Sequence, residues 1–448
     1  MKRYTLVALI VLCAAAAAVP AQPLRGSYFF ENSLLRGKLN PAFAPQHDFY
    51  ISVPVAGYAG FETLSNVGLG NFLFPDGDKT YNFLNDRVAS DTFFGKLPED
   101  DPYLSIRFET DILGGGYRLS DKLYLTAALS VAGYGQAGIP LDLLRFAKTG
   151  RSGSDRAWSL EGPHTSLLSF ASLSAGASYD LGEWVPGLRA GGRLHLMTGL
   201  KAFNGNVHRL DIRMEDALFA ASTAAAVTLS GFSYDSADGF RSDGFSLHGF
   251  GFSFDLGVEY RLRFDGFVNG LNLSASVGNL GLLSFGKAPQ YVAEGSASFE
   301  GFQDLGREFD LQAALDQLSA DFGSLAELGF HQDIPLKYGL HPDICAGVEA
   351  PFLDEMLSAG LLYTNSLDKH QLTVSFNATP LEWLNLNAHY TFGSVGRLGF
   401  FAEYIPKKYV GFFFGFEKAS FKTNRNLLGI KNFTQSATLG LNVLLGIR

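Results

Sequence analysis

The stretch Gly249-Phe250-Gly251-Phe252-Ser253-Phe254-Asp255-Leu256-Gly257-Val258-Glu259-Tyr260-Arg261-Leu262 carries two unlike surfaces. Side chains alternate sides along an extended strand. Phe250, Phe252, Phe254, Leu256, Val258, Tyr260 and Leu262 therefore form one wholly apolar row, while Gly251, Ser253, Asp255, Gly257, Glu259 and Arg261 form a small or charged one. A tilted strand crosses a bilayer core in about 9 to 11 residues, so this stretch is long enough to stand between lipid and water.

The rest of the composition fits walls of this kind. Of 448 residues, 51 are glycine and 40 phenylalanine, and only 18% are charged, against about 25% in an ordinary soluble domain. Residues 1-21 read as a secretory signal: Lys2 and Arg3 are the basic start, Leu6 to Ala18 the apolar run, and Val19-Pro20-Ala21 the cleavage site before Gln22. Bulky Leu12 ahead of Cys13 argues against a lipidation site. Cys345 is then the single cysteine of the mature chain, so a disulfide, a cysteine metal cluster and a thiol relay are all excluded. Loss of Lys2 and Arg3 takes the net charge from −9 to −11, the wrong sign for a nucleic-acid partner. Past the signal no apolar run reaches about 18 residues, which leaves a closed barrel as the way to satisfy every backbone group in lipid.

Residues 22-47 show no strand pattern. They contain Leu39-Asn40-Pro41-Ala42-Phe43, where Pro41 biases Asn40 away from helix, and they read as a plug or lead-in to a barrel spanning 48-448. Asn66 to Pro102 reads as a long loop rich in Gly, Asp and Pro. Its acidic clusters lack the ligand spacing of a calcium site. Tyr103 to Tyr134 and Leu167 to Ala202 read as hairpins. In the second, Leu188, Ala190, Leu194, Leu196 and Leu200 oppose Arg189, Arg193, His195 and Lys201. Each Arg or Lys in midplane lipid costs about 2 to 4 kcal/mol, so the charged row belongs in a wet or paired interior.

Phe203 to Asp243 is irregular, with short strand pieces at His208 to Met214 and Ala224 to Leu229, and reads as an extracellular hairpin or lid. Between Gly301 and Asp333, Leu311, Leu315, Leu318, Phe322 and Leu325 recur at helical spacing and predict a short loop helix. Further on, Leu336, Tyr338, Leu340, Ile344, Ala346 and Val348 oppose Lys337, His341, Asp343, Cys345 and Glu349. Strands then recur every 12 to 15 residues with alternating short and long links. Trp184, Trp383, Tyr404 and Tyr409 lie beside the short turns, where an interfacial aromatic belt belongs.

The expected fold is thus all-β, a closed antiparallel transmembrane β-barrel. Fifteen strands can be counted, whereas barrels of this type use even numbers. Tyr291 to Phe299 alternates least well, so about fourteen is the expectation and sixteen the alternative.

Leu39-Asn40-Pro41-Ala42-Phe43, Tyr50-Ile51-Ser52-Val53-Pro54, Phe254 to Tyr260, Ser276-Val277-Gly278-Asn279-Leu280-Gly281 and Asn377-Ala378-Thr379-Pro380-Leu381-Glu382-Trp383-Leu384 occur in this order along the chain. With them the sequence resembles a Bacteroidota-type outer-membrane barrel family of uncharacterised function, related to FadL-type fatty-acid transporters and secretion-shuttle barrels. The resemblance implies an N-terminal plug with its Asn-Pro-Ala motif on Asn40, Pro41 and Ala42, followed by Phe43. It implies no catalytic residue and no cofactor. The chain departs from many such barrels by ending Gly446-Ile447-Arg448 rather than in an aromatic residue.

No metalloprotease helix, nucleophile elbow or phosphate loop is present. His195, His341 and His389 could meet Ser or Asn in a lumen, as an outer-membrane hydrolase needs, but polar filler explains them better. The candidate functional row is Arg189, Arg193, His195, Lys201, Asp255, Glu259, Arg261, Lys337, His341, Asp343 and Glu349. Its mixed signs suit a paired interior or a narrow polar path more than a single-sign filter. Two functions follow: a FadL-like conduit for a small or hydrophobic solute, or a filled structural barrel whose loops dock a periplasmic or secreted protein. Outer-membrane lipid surrounds either.

Overall fold

The computed structural model describes residues 24–54, 56–77, 79–149, 157–215, 218–235, 239–299, 329–366, 369–394, 396–406, 408–418 and 435–447. The expected signal and nearly all of the expected loop helix lie outside them.

Twenty-two strands occur among the described residues: β1 (His47–Ser52), β2 (Ala59–Ser65), β3 (Leu73–Asp76), β4 (Lys79–Asn82), β5 (Tyr103–Arg118), β6 (Leu123–Gly138), β7 (Ala157–Leu160), β8 (His164–Asp180), β9 (Leu188–Glu215), β10 (Leu218–Ser230), β11 (Phe232–Asp235), β12 (Gly239–Ser242), β13 (His248–Arg263), β14 (Gly270–Phe299), β15 (Gly329–Gly339), β16 (Asp343–Phe352), β17 (Leu357–Ser366), β18 (Lys369–Leu381), β19 (Leu384–Phe392), β20 (Arg397–Tyr404), β21 (Lys408–Lys418) and β22 (Gln435–Ile447). All but β3, β4, β11 and β12 belong to one antiparallel sheet.

The sheet closes because its first strand pairs with both β5 and the last strand: Tyr50 lies opposite Gly116 on β5 and opposite Leu444 on β22. No edge is left in the lipid, as a membrane span requires. Interrupted strands set the count. β2 continues β1 between the same two neighbours, β16 continues β15 along β14, β7 follows β8 along β9, and β10 stands above β13 between β9 and β14. The 18 strands of the sheet therefore make fourteen staves, the expected number. Tyr291 to Phe299 is the upper part of β14, not a stave of its own.

Alternation along the staves gives each face its solvent. On β13, Phe250, Phe252, Phe254, Leu256 and Val258 are exposed to the outside, whereas Ser253, Asp255 and Glu259 are buried. The pattern repeats on β18 to β20, where Phe376, Leu386 and Phe400 point out while Asn377, Asn387 and His389 point in. An apolar outside and a polar inside are the arrangement of an outer-membrane barrel. At the short-turn end, the rings of Trp383 and Tyr404 meet at 5.5 Å and Trp184 is exposed.

One loop expectation needs correction and another needs extending. Residues 66–102 are not a plain loop, since they hold the β3–β4 hairpin and the short helices Leu69–Phe72 and Ser90–Phe94. Phe74, Val88 and Phe93 make a small core that takes in Leu144 from the helix Leu141–Thr149. The Gly, Asp and Pro content masked an aromatic set large enough to bury. At 203–243 the expected hairpin is present but longer than its strand pieces: β9 runs on to Glu215, and β10 returns against it before the β11–β12 hairpin leaves the wall. Small residues in Ala220-Ala221-Ser222-Thr223 hid the start of β10.

Candidate lumenal site

Residues 24–46 lie within the barrel. Tyr28, Phe29, Phe30, Leu34, Leu35 and Phe43 are all buried; Leu34 packs against Ile405 and Leu444, and the others against lumen-facing Phe401, Phe413, Cys345 and Leu362. Burying one such side chain is worth about 1.5 to 3 kcal/mol. The strand wall makes room for this segment with glycine. A Cβ at Gly191 would lie 2.0 Å from the carbonyl oxygen of Pro41, and one at Gly257 would lie 1.9 Å from Oδ1 of Asn40.

Asn40 joins segment to wall. Its Nδ2 donates to the carbonyls of Val258 (3.1 Å) and Ala275 (3.2 Å), while its Oδ1 accepts from the backbone N–H of Ala42 at 2.9 Å. Ser276 donates to the Leu39 carbonyl and Ser178 to that of Ala42. Pro41, with no N–H to satisfy, fits where the chain turns against Gly191. Phe43 lies under the guanidinium of Arg36, whose carbon is 3.8 Å from the ring centre.

Charges tie the segment down at three levels. Arg36 meets Glu259 at 2.8 Å, and Arg261 bridges Glu259 (2.9 Å) and Glu31 (2.7 Å). Higher up, Lys38 reaches Glu109 and Asp111, each at 2.8 Å. Burial disfavours the charge of Lys38, but the Asp111 and Glu109 carboxylates outweigh it and hold its pKa above the ordinary lysine value. Near the long-loop end, Arg25 and Arg397 share the carboxylates of Glu62 and Glu417, with His389 Nε2 donating to Glu417 at 2.8 Å.

Above the segment is a cavity of about 170 Å³ bordered by Lys38, Arg107, Arg193, His195, Asp255 and Asp343. Its charges are mutually paired: Arg107 with Asp343 (2.8 Å), Arg193 with Asp255 (3.5 Å) and His195 with Asp255 (2.8 Å). Asn279 adds a backbone N–H to Asp255 and an amide to Asp343. It does so from a left-handed conformation, φ +58°. Arg193 also donates to the carbonyl of Gly37. Below the segment is a second cavity of about 810 Å³, open toward the short turns.

Of the sequence-derived row, Arg193, His195, Asp255, Glu259, Arg261 and Asp343 thus meet around the segment. Arg189 pairs with Asp180 at 3.1 Å nearer the short turns, Glu349 borders the lower cavity, and His341 sits beside Tyr134 with ring centres 6.3 Å apart. Lys201 and Lys337 are corrections. A bulge at Ser169/Phe170 shifts the register of β9 against β8, and Lys201 reaches the Gly231 carbonyl and the Phe232 ring of the β11 hairpin. The break between β15 and β16 swaps faces, so Leu336, Tyr338 and Leu340 pack inward with Met197 and Phe285 while Lys337 is exposed. Missed altogether were Arg25, Arg36, Lys38, Glu62, Arg397 and Glu417. Arg107, Glu109 and Asp111 were legible in principle, since their spacing of two places them on one strand face.

His195 also completes a Ser–His–Asp series, with Ser172 Oγ 3.3 Å from Nδ1 and Asp255 Oδ2 2.8 Å from Nε2. Ser172 is mid-strand, flanked by Ser130 and Met197 in the ladders of β6 and β9, so neighbouring N–H groups are committed to the sheet rather than to an oxyanion. The adjoining space is about 80 Å³, well below the roughly 300 Å³ at which ligand sites begin.

Over residues 41–415 the chain matches the model of a family of unknown function, DUF5723. The protein belongs to this family. No curated protein sequence matches it. Among solved structures this DUF5723 barrel is similar to the P. putida toluene transporter TodX (11% identity, TM-score 0.42, 96% of each chain covered). It is also similar to a Pseudomonas aeruginosa FadL homologue (10%, 0.39, 94% of this chain and 96% of that one). The translocator domain of the autotransporter NalP from Neisseria meningitidis is a third such structure (8%, 0.30, 88% of each). Likenesses this remote leave the function of the DUF5723 barrel to be argued from its own lumen.

Proposed function

We propose that this outer-membrane barrel is a gated conduit for a small solute, with residues 22–47 as the gate and no enzymatic step. The observation that carries the reading is that residues of the segment border two separate cavities in one barrel, one of about 170 Å³ among the lumen charges and one of about 810 Å³ beside the short turns. A purely structural barrel needs no such spaces, and it needs no glycine niches for a removable insert. The charged border of the upper cavity favours a polar solute over the hydrophobic one that FadL-type resemblance suggests, because a greasy molecule there would strip water from Arg107 and Asp343 without replacing it.

The second reading, a filled barrel that docks a protein partner, draws on β9 and β14, which at 28 and 30 residues run well past what the membrane needs. Liposome swelling separates the two. Proteoliposomes of the barrel lacking residues 22–47 should swell in small sugars and amino acids much faster than those of the intact chain. Equal swelling, together with a protein that co-purifies with the intact chain, would sink the conduit.

A further inference from the structure

The cavity at the short-turn end has a chemistry the gate does not explain. Glu349 lies at its inner wall, 5% exposed, and its carboxylate receives hydrogen bonds from Ser358 Oγ (2.6 Å) and Asn272 Nδ2 (2.8 Å). No Arg, Lys or His comes within ion-pair distance of it among the described residues. Arg36 of the segment forms its ion pair with Glu259, through one guanidinium nitrogen. A buried carboxylate without a cation is costly, and the cost is relieved either by a proton or by a cationic donor that reaches it.

A second group points the same way. Asn272 is 8% exposed and borders the cavity, and its Oδ1 has no hydrogen-bond partner. Because its Nδ2 is spent on Glu349, the free atom is an acceptor. The Ser358 hydroxyl proton is already given to Glu349, and its oxygen accepts from Asn377 at 2.9 Å. The inner wall therefore presents acceptors and asks for a donor.

The remainder of the lining agrees. It holds Glu31, Asp354, Glu355 and Glu382 and not one basic residue. Arg263 engages Glu31 and Glu355 at the rim. Phe29, Phe30 and Trp383 add aromatic faces, which attract cations. At about 810 Å³ the space is of the size that holds small molecules. A metal fits less well: no cluster of three ligating side chains exists among the described residues, whereas calcium takes 6 to 8 oxygens.

We propose that this vestibule binds a small organic cation, an alkylammonium whose N–H groups are shared by Glu349 and Asn272 Oδ1. The site stands whether or not the barrel conducts. Short turns face the periplasm in barrels of this type, so the amine would enter from that side.

Isothermal titration of the purified full-length barrel in detergent tests this, with 1,4-diaminobutane as probe, 1,4-butanediol as its neutral counterpart and calcium as the metal arm. The diamine should bind saturably at one site and the diol should not. Glu349→Gln, checked for folding by its heat-shifted migration on a gel, should weaken the diamine by at least about ten-fold, and the rim variant Glu382→Gln by far less. Equal binding of diol and diamine to the wild-type chain would overturn the proposal. So would no saturable diamine binding, Glu349→Gln binding as tightly as wild type, or displacement of the diamine by calcium at the same site.

Discussion

Arg36 of the N-terminal segment and Glu259 of β13 form a 2.8 Å ion pair whose side chains are 4% and 2% exposed. Removing one member of a buried pair strands the other, at a cost of about 3 to 5 kcal/mol. Glu259→Ala should therefore loosen residues 24–46 while the barrel survives. Amide exchange in that segment, read by mass spectrometry, should accelerate by about a hundred-fold or more. Unchanged protection would mean that packing alone holds it.

Glycine geometry gives a paired test. Gly191→Ala drives a methyl to 2.0 Å from the Pro41 backbone, whereas at neighbouring Gly192 the first contact is an ordinary 3.6 Å. The first substitution should expel the segment and raise solute flux toward that of the 22–47 deletion. The second should leave flux at the wild-type level. Both variants should keep the gel shift on boiling that marks an intact barrel.

The Ser172–His195–Asp255 series invites an assay for esterase activity. With no free backbone donor beside Ser172, hydrolysis of a p-nitrophenyl ester by the wild-type barrel should equal that of Ser172→Ala. A wild-type rate that falls to background on Ser172→Ala would reinstate a hydrolase.

Period-two alternation made most of the wall legible, because a strand between lipid and water must segregate its side chains. Where that rule fails, so did the reading. Lys201 and Lys337 follow a bulge and a strand break, each of which turns the side chains beyond it to the other face, and nothing in the local sequence announces either. The small-residue run of β10 lacks the contrast that alternation needs.

The lumen was half legible. Asp255, Glu259, Arg261 and Arg193 were found because their strands alternate cleanly. Their partners Glu31, Arg36 and Gly37 sit in a segment without periodicity, more than 150 residues away in sequence. Only the closure of the barrel brings them together. Glu349 was found as a lumen residue, but its lack of a cation is a property of what stands opposite it, which no strand pattern carries.

The central claim is that residues 22–47 close a conduit, and single-channel recording tests it most directly. In planar bilayers the intact protein should be silent or show brief, rare openings, and the barrel lacking residues 22–47 should show a large, steady conductance. A deletion variant that folds, inserts and remains as silent as the intact chain would contradict it.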